Sequence, residues 1–160
     1  RLFDWPLGNR FLFKFGGDYF EQVIREFVDL RWKSYEINFK LLESLSTFDG
    51  VHILLTGSPQ LLVAEFLKRH KISTFDQIIG QSAGRWRWLF GSTPYGRAKP
   101  RFIQSSIYFA VGDDVADRFL LGRASHKFVI GTSTQQSRHF RRLGCSYLEF
   151  GEPIPLDEFS

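Results

Sequence analysis

Ile107-Tyr108-Phe109-Ala110-Val111-Gly112-Asp113-Asp114-Val115-Ala116-Asp117 is an apolar run that stops abruptly at a glycine and three carboxylates. A run of strand length, ended by Gly and followed by the helix-like residues 115–121, reads as a buried parallel strand delivering acids to its carboxyl edge. Open α/β sheets bind their ligands at that edge. One helical turn separates Asp113 from Asp117, so a helix starting just after Asp113 brings both carboxylates towards one point, as a hard divalent cation requires. The competing reading is that Asp113 or Asp114 simply caps that helix.

Upstream of this stretch, Val51-His52-Ile53-Leu54-Leu55 reads as another buried strand, ending in Thr56-Gly57-Ser58-Pro59. Pro59 suits the first turn of a helix running to about His70, which leaves a hydroxyl and backbone N–H groups where an anion docks, or an ordinary strand-to-helix turn. Phe75-Asp76-Gln77-Ile78-Ile79-Gly80 predicts a third strand, and residues 81–100 a long loop carrying Lys99. Further upstream, Phe20, Val23, Ile24, Phe27, Val28 and Leu30, then Ile37, Leu41, Leu42 and Leu45, recur at helical spacing, with Asp18 as a cap. Downstream lie a strand over 127–130, a helix over 134–143 and a last strand over 146–150. Strand and helix alternate from Val51 onward, so the expected class is α/β with a mainly parallel sheet.

With 160 residues, 43% hydrophobic and 17% aromatic, the chain is long enough to bury a core and is not compositionally disordered. It has no apolar stretch of membrane-spanning length and no charged-then-apolar leader, so a cytoplasmic protein without a membrane span is the expectation. The single cysteine, Cys145, excludes an internal disulfide and a thiolate zinc cage. There are 21 Lys and Arg against 17 Asp and Glu, a formal charge of +4 compatible with an anionic partner. Basic residues concentrate at Arg85-Trp86-Arg87-Trp88, at Arg97, Lys99 and Arg101, and at Arg138, His139, Arg141 and Arg142. Interleaved Arg and Trp stack on bases and neutralise phosphates, but no nucleic-acid-binding motif accompanies them and a solvated face is the preferred reading.

The ordered set Leu54-Leu55-Thr56-Gly57-Ser58, Phe75 to Ile79, Gly96 with Lys99, and Gly112-Asp113 with Asp117 resembles the haloacid dehalogenase superfamily, in its phosphoserine-phosphatase-like branch. The resemblance spans roughly residues 51–130 and covers the second, third and fourth of that superfamily's four motifs. It implies a Rossmann-like core over residues 49–160, preceded by a helical cap-like segment over 1–48. It also implies phosphoryl transfer through an aspartyl-phosphate on a small phosphorylated substrate, with Mg²⁺ as cofactor. By the same resemblance Thr56 and the N–H of Gly57 hold phosphoryl oxygens, and Lys99 balances the charge shared by nucleophile and phosphate. Asp113 binds Mg²⁺, with Asp117 beside it as the second acid.

The first motif, a strand ending in Asp-x-Asp, has no good counterpart. Asp4 is preceded by too few residues for a strand, and Pro6 occupies the second acid's place. Ala116 stands where this branch often has Asn. The chain opens on Arg1 and contains no methionine, so the expectation is either a Mg²⁺-dependent phosphatase domain lacking its start or an inactive relative that binds an anionic partner.

Overall fold

The computed structural model describes residues 17–81, 94–131 and 139–155. In chain order its numbered elements are α1 (Gly17–Arg31), α2 (Phe39–Thr47), β1 (Ile53–Pro59), α3 (Gln60–Arg69), β2 (Gln77–Gln81), β3 (Ile107–Gly112), α4 (Arg118–Leu121), β4 (Ala124–Ile130) and β5 (Ser146–Leu148). Short 3₁₀ helices occupy Trp32–Ser34, Gly96–Phe102 and Val115–Asp117, and residues 139–142 are helical. Among the described residues every strand pairing is parallel, and the class is α/β with parallel sheets and an N-terminal helix. Among the described residues no helix is long and apolar enough to cross a membrane.

The chain forms two compact units, Arg1–Ile37 with Val51–Pro94, and Asn38–Gly50 with Tyr95–Ser160. The helical segment expected over 1–48 is divided between them, α1 going with the first and α2 with the second.

In the first unit β1 pairs β2 in the register Ile53↔Gln77, Leu54↔Ile78 and Leu55↔Ile79, then shifts before Pro59↔Gln81. Thr56, Gly57 and Ser58 lie in that irregularity. The Ser58 N–H donates to Thr56 Oγ1 at 3.1 Å, a local bond that turns the chain towards α3. Pro59 is the N-cap of α3 rather than its first residue. A Cβ on Gly80 would lie 2.8 Å from Gln60 N and Ser58 O, so only glycine lets β2 pass this turn so closely. The helical spacing of α1 is used as the sequence suggests: Ile24 and Val28 close on Leu62 of α3, with Phe27, Trp32 and Leu61 around them. Asp18 lies in the first described turn of α1, and the residues before Gly17 lie outside the described residues.

The second unit holds a three-stranded sheet in the order β3-β4-β5. β4 takes the centre, and its Phe128 and Val129 are almost wholly buried. β3, expected as a buried strand, pairs among the described residues with β4 alone: its Ala110 and Gly112 are buried, while Tyr108 is 44% exposed. One face packs Ala110 and Val129 against Leu121 of α4 and Phe140, with Ala124 and Cys145 completing the cluster. Asn38 caps α2 by accepting the Leu41 N–H at 3.0 Å. Beyond that helix, Phe48 stacks on Tyr108 and meets Phe109 edge-on. The described strands thus form a two-stranded parallel sheet in the first unit and a three-stranded parallel sheet in the second.

Candidate functional site

β3 ends at Gly112, and the chain turns at once into the 3₁₀ helix Val115–Asp117. Asp114 is its N-cap, accepting the Ala116 N–H at 2.8 Å, while Asp117 reaches back to the backbone in a reciprocal capping box. The capping reading of these acids therefore holds for Asp114. It does not account for Asp113, whose side chain takes no part in the cap.

Asp117 is 5% exposed and occupied on both oxygens. Its Oδ2 accepts the N–H groups of Asp113 at 3.2 Å and Asp114 at 3.4 Å, and its Oδ1 receives the Lys99 ammonium. Lys99, itself 9% exposed, comes from the 3₁₀ segment Gly96–Phe102. Arg123 fastens the end of that segment by donating to the carbonyls of Pro100 and Ile103. A buried ion pair is sustained only when its remaining hydrogen-bonding capacity is met, and the two N–H groups supply this for the carboxylate. Gly112 makes the approach possible: a Cβ there would stand 2.8 Å from Asp117 Cβ and 3.0 Å from its Oδ2.

Asp113 faces solvent on one side. Its carboxyl is nonetheless held above the usual aspartate value of 3.8, first by the protein packed behind it and next by the Asp117 carboxylate, with Lys99 pulling the other way. Among the described residues no hydrogen bond or ion pair engages this carboxylate. A cation placed against it would offset the repulsion from Asp117, while the burial would remain.

The structure thus brings together Lys99, Asp113 and Asp117, three of the residues singled out from sequence. Thr56 and Gly57 stand in the first unit, inside β1 at the register shift between Leu55 and Pro59, with the Thr56 hydroxyl accepting the Ser58 N–H. Asp4, the Arg85 to Trp88 stretch and Arg138 lie outside the described residues.

Among the described residues no three His, Cys, Asp or Glu side chains converge on a point that could hold a metal. Mg²⁺, the cation that the resemblance implies, keeps several waters and is bound through one or two carboxylates together with a ligand's phosphate oxygens. Asp113 offers one such carboxylate. Asp117, expected as a second, has both oxygens engaged and instead fixes Lys99 and the turn. The direct Lys99–Asp117 pairing was not read from the sequence; the signal available was the Asp114-x-x-Asp117 spacing of a capping box, which would have turned Asp117 back onto its own turn. No known protein family, curated protein or solved structure matches the chain.

Proposed function

We propose that this chain is the core of a Mg²⁺-dependent phosphatase-type hydrolase of the haloacid dehalogenase kind, acting on a small phosphorylated substrate. The observation that carries the reading is the buried Lys99–Asp117 pair at the carboxyl end of β3, with the Asp113 carboxylate exposed beside it. Phosphoryl transfer asks the protein for positioning and charge balance more than for covalent chemistry. Lys99, held by Asp117, supplies a fixed positive charge that cannot swing away. Asp113 is the carboxylate that would hold Mg²⁺, whose contribution when bound is to neutralise the phosphoryl oxygens. The resemblance gives phosphoryl oxygens to the Thr56 hydroxyl and the Gly57 N–H as well, but the proposal rests on residues of the second unit alone. No nucleophile is assigned.

A second reading, a module that holds a phosphorylated ligand without turning it over, is favoured by one feature: Asp4-Trp5-Pro6 lacks the second acid of Asp-x-Asp. Both readings require a Mg²⁺-assisted phosphate site, and calorimetric titration with inorganic phosphate tests it. The expected result is that Mg²⁺ strengthens phosphate binding and that Asp113→Asn abolishes the strengthening. Phosphate binding that ignores both Mg²⁺ and Asp113 would overturn the proposal.

A further inference from the structure

The segment that carries Lys99 is weak by its own construction. It is a 3₁₀ helix, whose i→i+3 bonds are poorly aligned, and it opens on Gly96 at φ 52°, a left-handed conformation that glycine takes freely. Pro100 lies inside it and has no N–H to donate to the i−3 carbonyl. The Lys99 side chain is a point cation on a flexible four-carbon stem, so where its ammonium comes to rest depends on the backbone from which it grows.

That backbone is held from outside at two points. One is the Lys99–Asp117 pair, at the start of α4. The other is Arg123, just beyond the end of α4, whose Nη1 donates both to the Pro100 carbonyl and, at 3.0 Å, to the Ile103 carbonyl. α4 is thus a bracket with a prong at each end, and Lys99 directly precedes one of the two residues that the second prong grips. The base of that prong is firmly set: the Arg123 N–H closes the end of α4 on the Leu120 carbonyl at 3.0 Å, while Leu121 before it and Ala124 after it are buried in the core. Arg123 itself is exposed, so carbonyls that lose it can turn to water. Its contribution to overall stability is therefore small, whereas its loss leaves the Lys99 segment free to pivot on a single ion pair.

We propose that Arg123 is a positioning residue of the phosphoryl site: it touches no substrate, and through the carbonyls of Pro100 and Ile103 it fixes where Lys99 presents its ammonium. This inference rests on the phosphoryl reading of the Lys99 and Asp113 site.

The experiment compares the full chain with Arg123→Ala and Arg123→Lys by thermal melting, by calorimetric titration of inorganic phosphate with Mg²⁺, and by the ¹⁵N–¹H signal of the Lys99 ammonium, assigned by its loss in Lys99→Met. Arg123→Ala should stay folded at the titration temperature and bind phosphate about tenfold more weakly, as for the loss of one charge-assisted contact, and its Lys99 signal should shift or broaden. Arg123→Lys keeps several donors on one nitrogen and should recover part of both the affinity and the signal. If affinity in Arg123→Ala stays within about twofold, falls while the Lys99 signal is unchanged, or falls only in step with the melted fraction, Arg123 is a structural cap alone. The inference is then refuted and the phosphoryl reading stands. If the unaltered chain binds no phosphate, or Asp113→Asn binds it equally, the phosphoryl reading itself fails and the inference falls with it.

Discussion

Asp117 is the residue on which the local geometry turns, because one carboxylate satisfies two backbone N–H groups and a buried ammonium. Lys99→Met leaves that carboxylate buried without its counter-charge, and chemical denaturation should show a loss of about 3–5 kcal/mol. Adding Asp117→Asn, which removes the stranded charge but keeps an oxygen for the N–H groups, should restore part of it. Gly112→Ala forces a Cβ onto the same carboxylate and should cost about 1–3 kcal/mol, measured in the same way. Asp113 predicts a pH dependence. The folded chain holds its proton to a higher pH than the unfolded chain does, so this group's contribution to stability falls as pH rises from 3.8 through the raised value and is constant above it. Asp113→Asn, neutral throughout, should therefore raise the melting temperature at pH 7 without divalent cations, and the gain should shrink as the pH is lowered towards 3.8. That a strand ends at Gly112 with Asp113 directly after it was legible from the sequence, because an apolar run met glycine and acid. That Lys99 pairs with Asp117 was not, since nothing in local spacing reports which of several cations closes on a buried acid.

At the scale of elements, β1 has β2 as its partner and β3 has β4, and among the described residues neither has a strand on its other side. Two-stranded and edge-exposed parallel arrangements are weak without further cover. In hydrogen exchange the amides of Ile107–Gly112 that point away from β4 should exchange much faster than those of Phe128 and Val129; equal protection along both sides of β3 would show that its free edge is covered. Strand positions were legible because Leu54, Leu55, Ile78, Ile79 and the 107–111 run are short, apolar and bounded by turn residues. The extension of β1 through Pro59 was not, because it depends on a register shift and on the Thr56–Ser58 bond. Which strands neighbour one another was not legible either, since β pairing is non-local, and alternation of strand and helix constrains direction without naming neighbours.

At the scale of the whole molecule, the described residues of each unit hold a buried cluster, Ile24, Val28 and Leu62 in the first and Leu121, Val129 and Phe140 in the second. Leu62→Ala should cost about 2–5 kcal/mol and Phe140→Ala about 3–5 kcal/mol. The 160-residue chain itself should hydrolyse no aryl phosphate at a useful rate, since it offers no Asp-x-Asp pair. Mg²⁺-dependent turnover abolished by Asp4→Asn would contradict this. The central claim, that a divalent cation seats on Asp113 beside the Lys99–Asp117 pair, is tested most directly by paramagnetic broadening with Mn²⁺ in place of Mg²⁺. The amide resonances of Gly112 to Asp117 should broaden at low Mn²⁺ in the unaltered chain and remain sharp in Asp113→Asn. Broadening centred elsewhere, or the same at 112–117 in both proteins, would contradict the account.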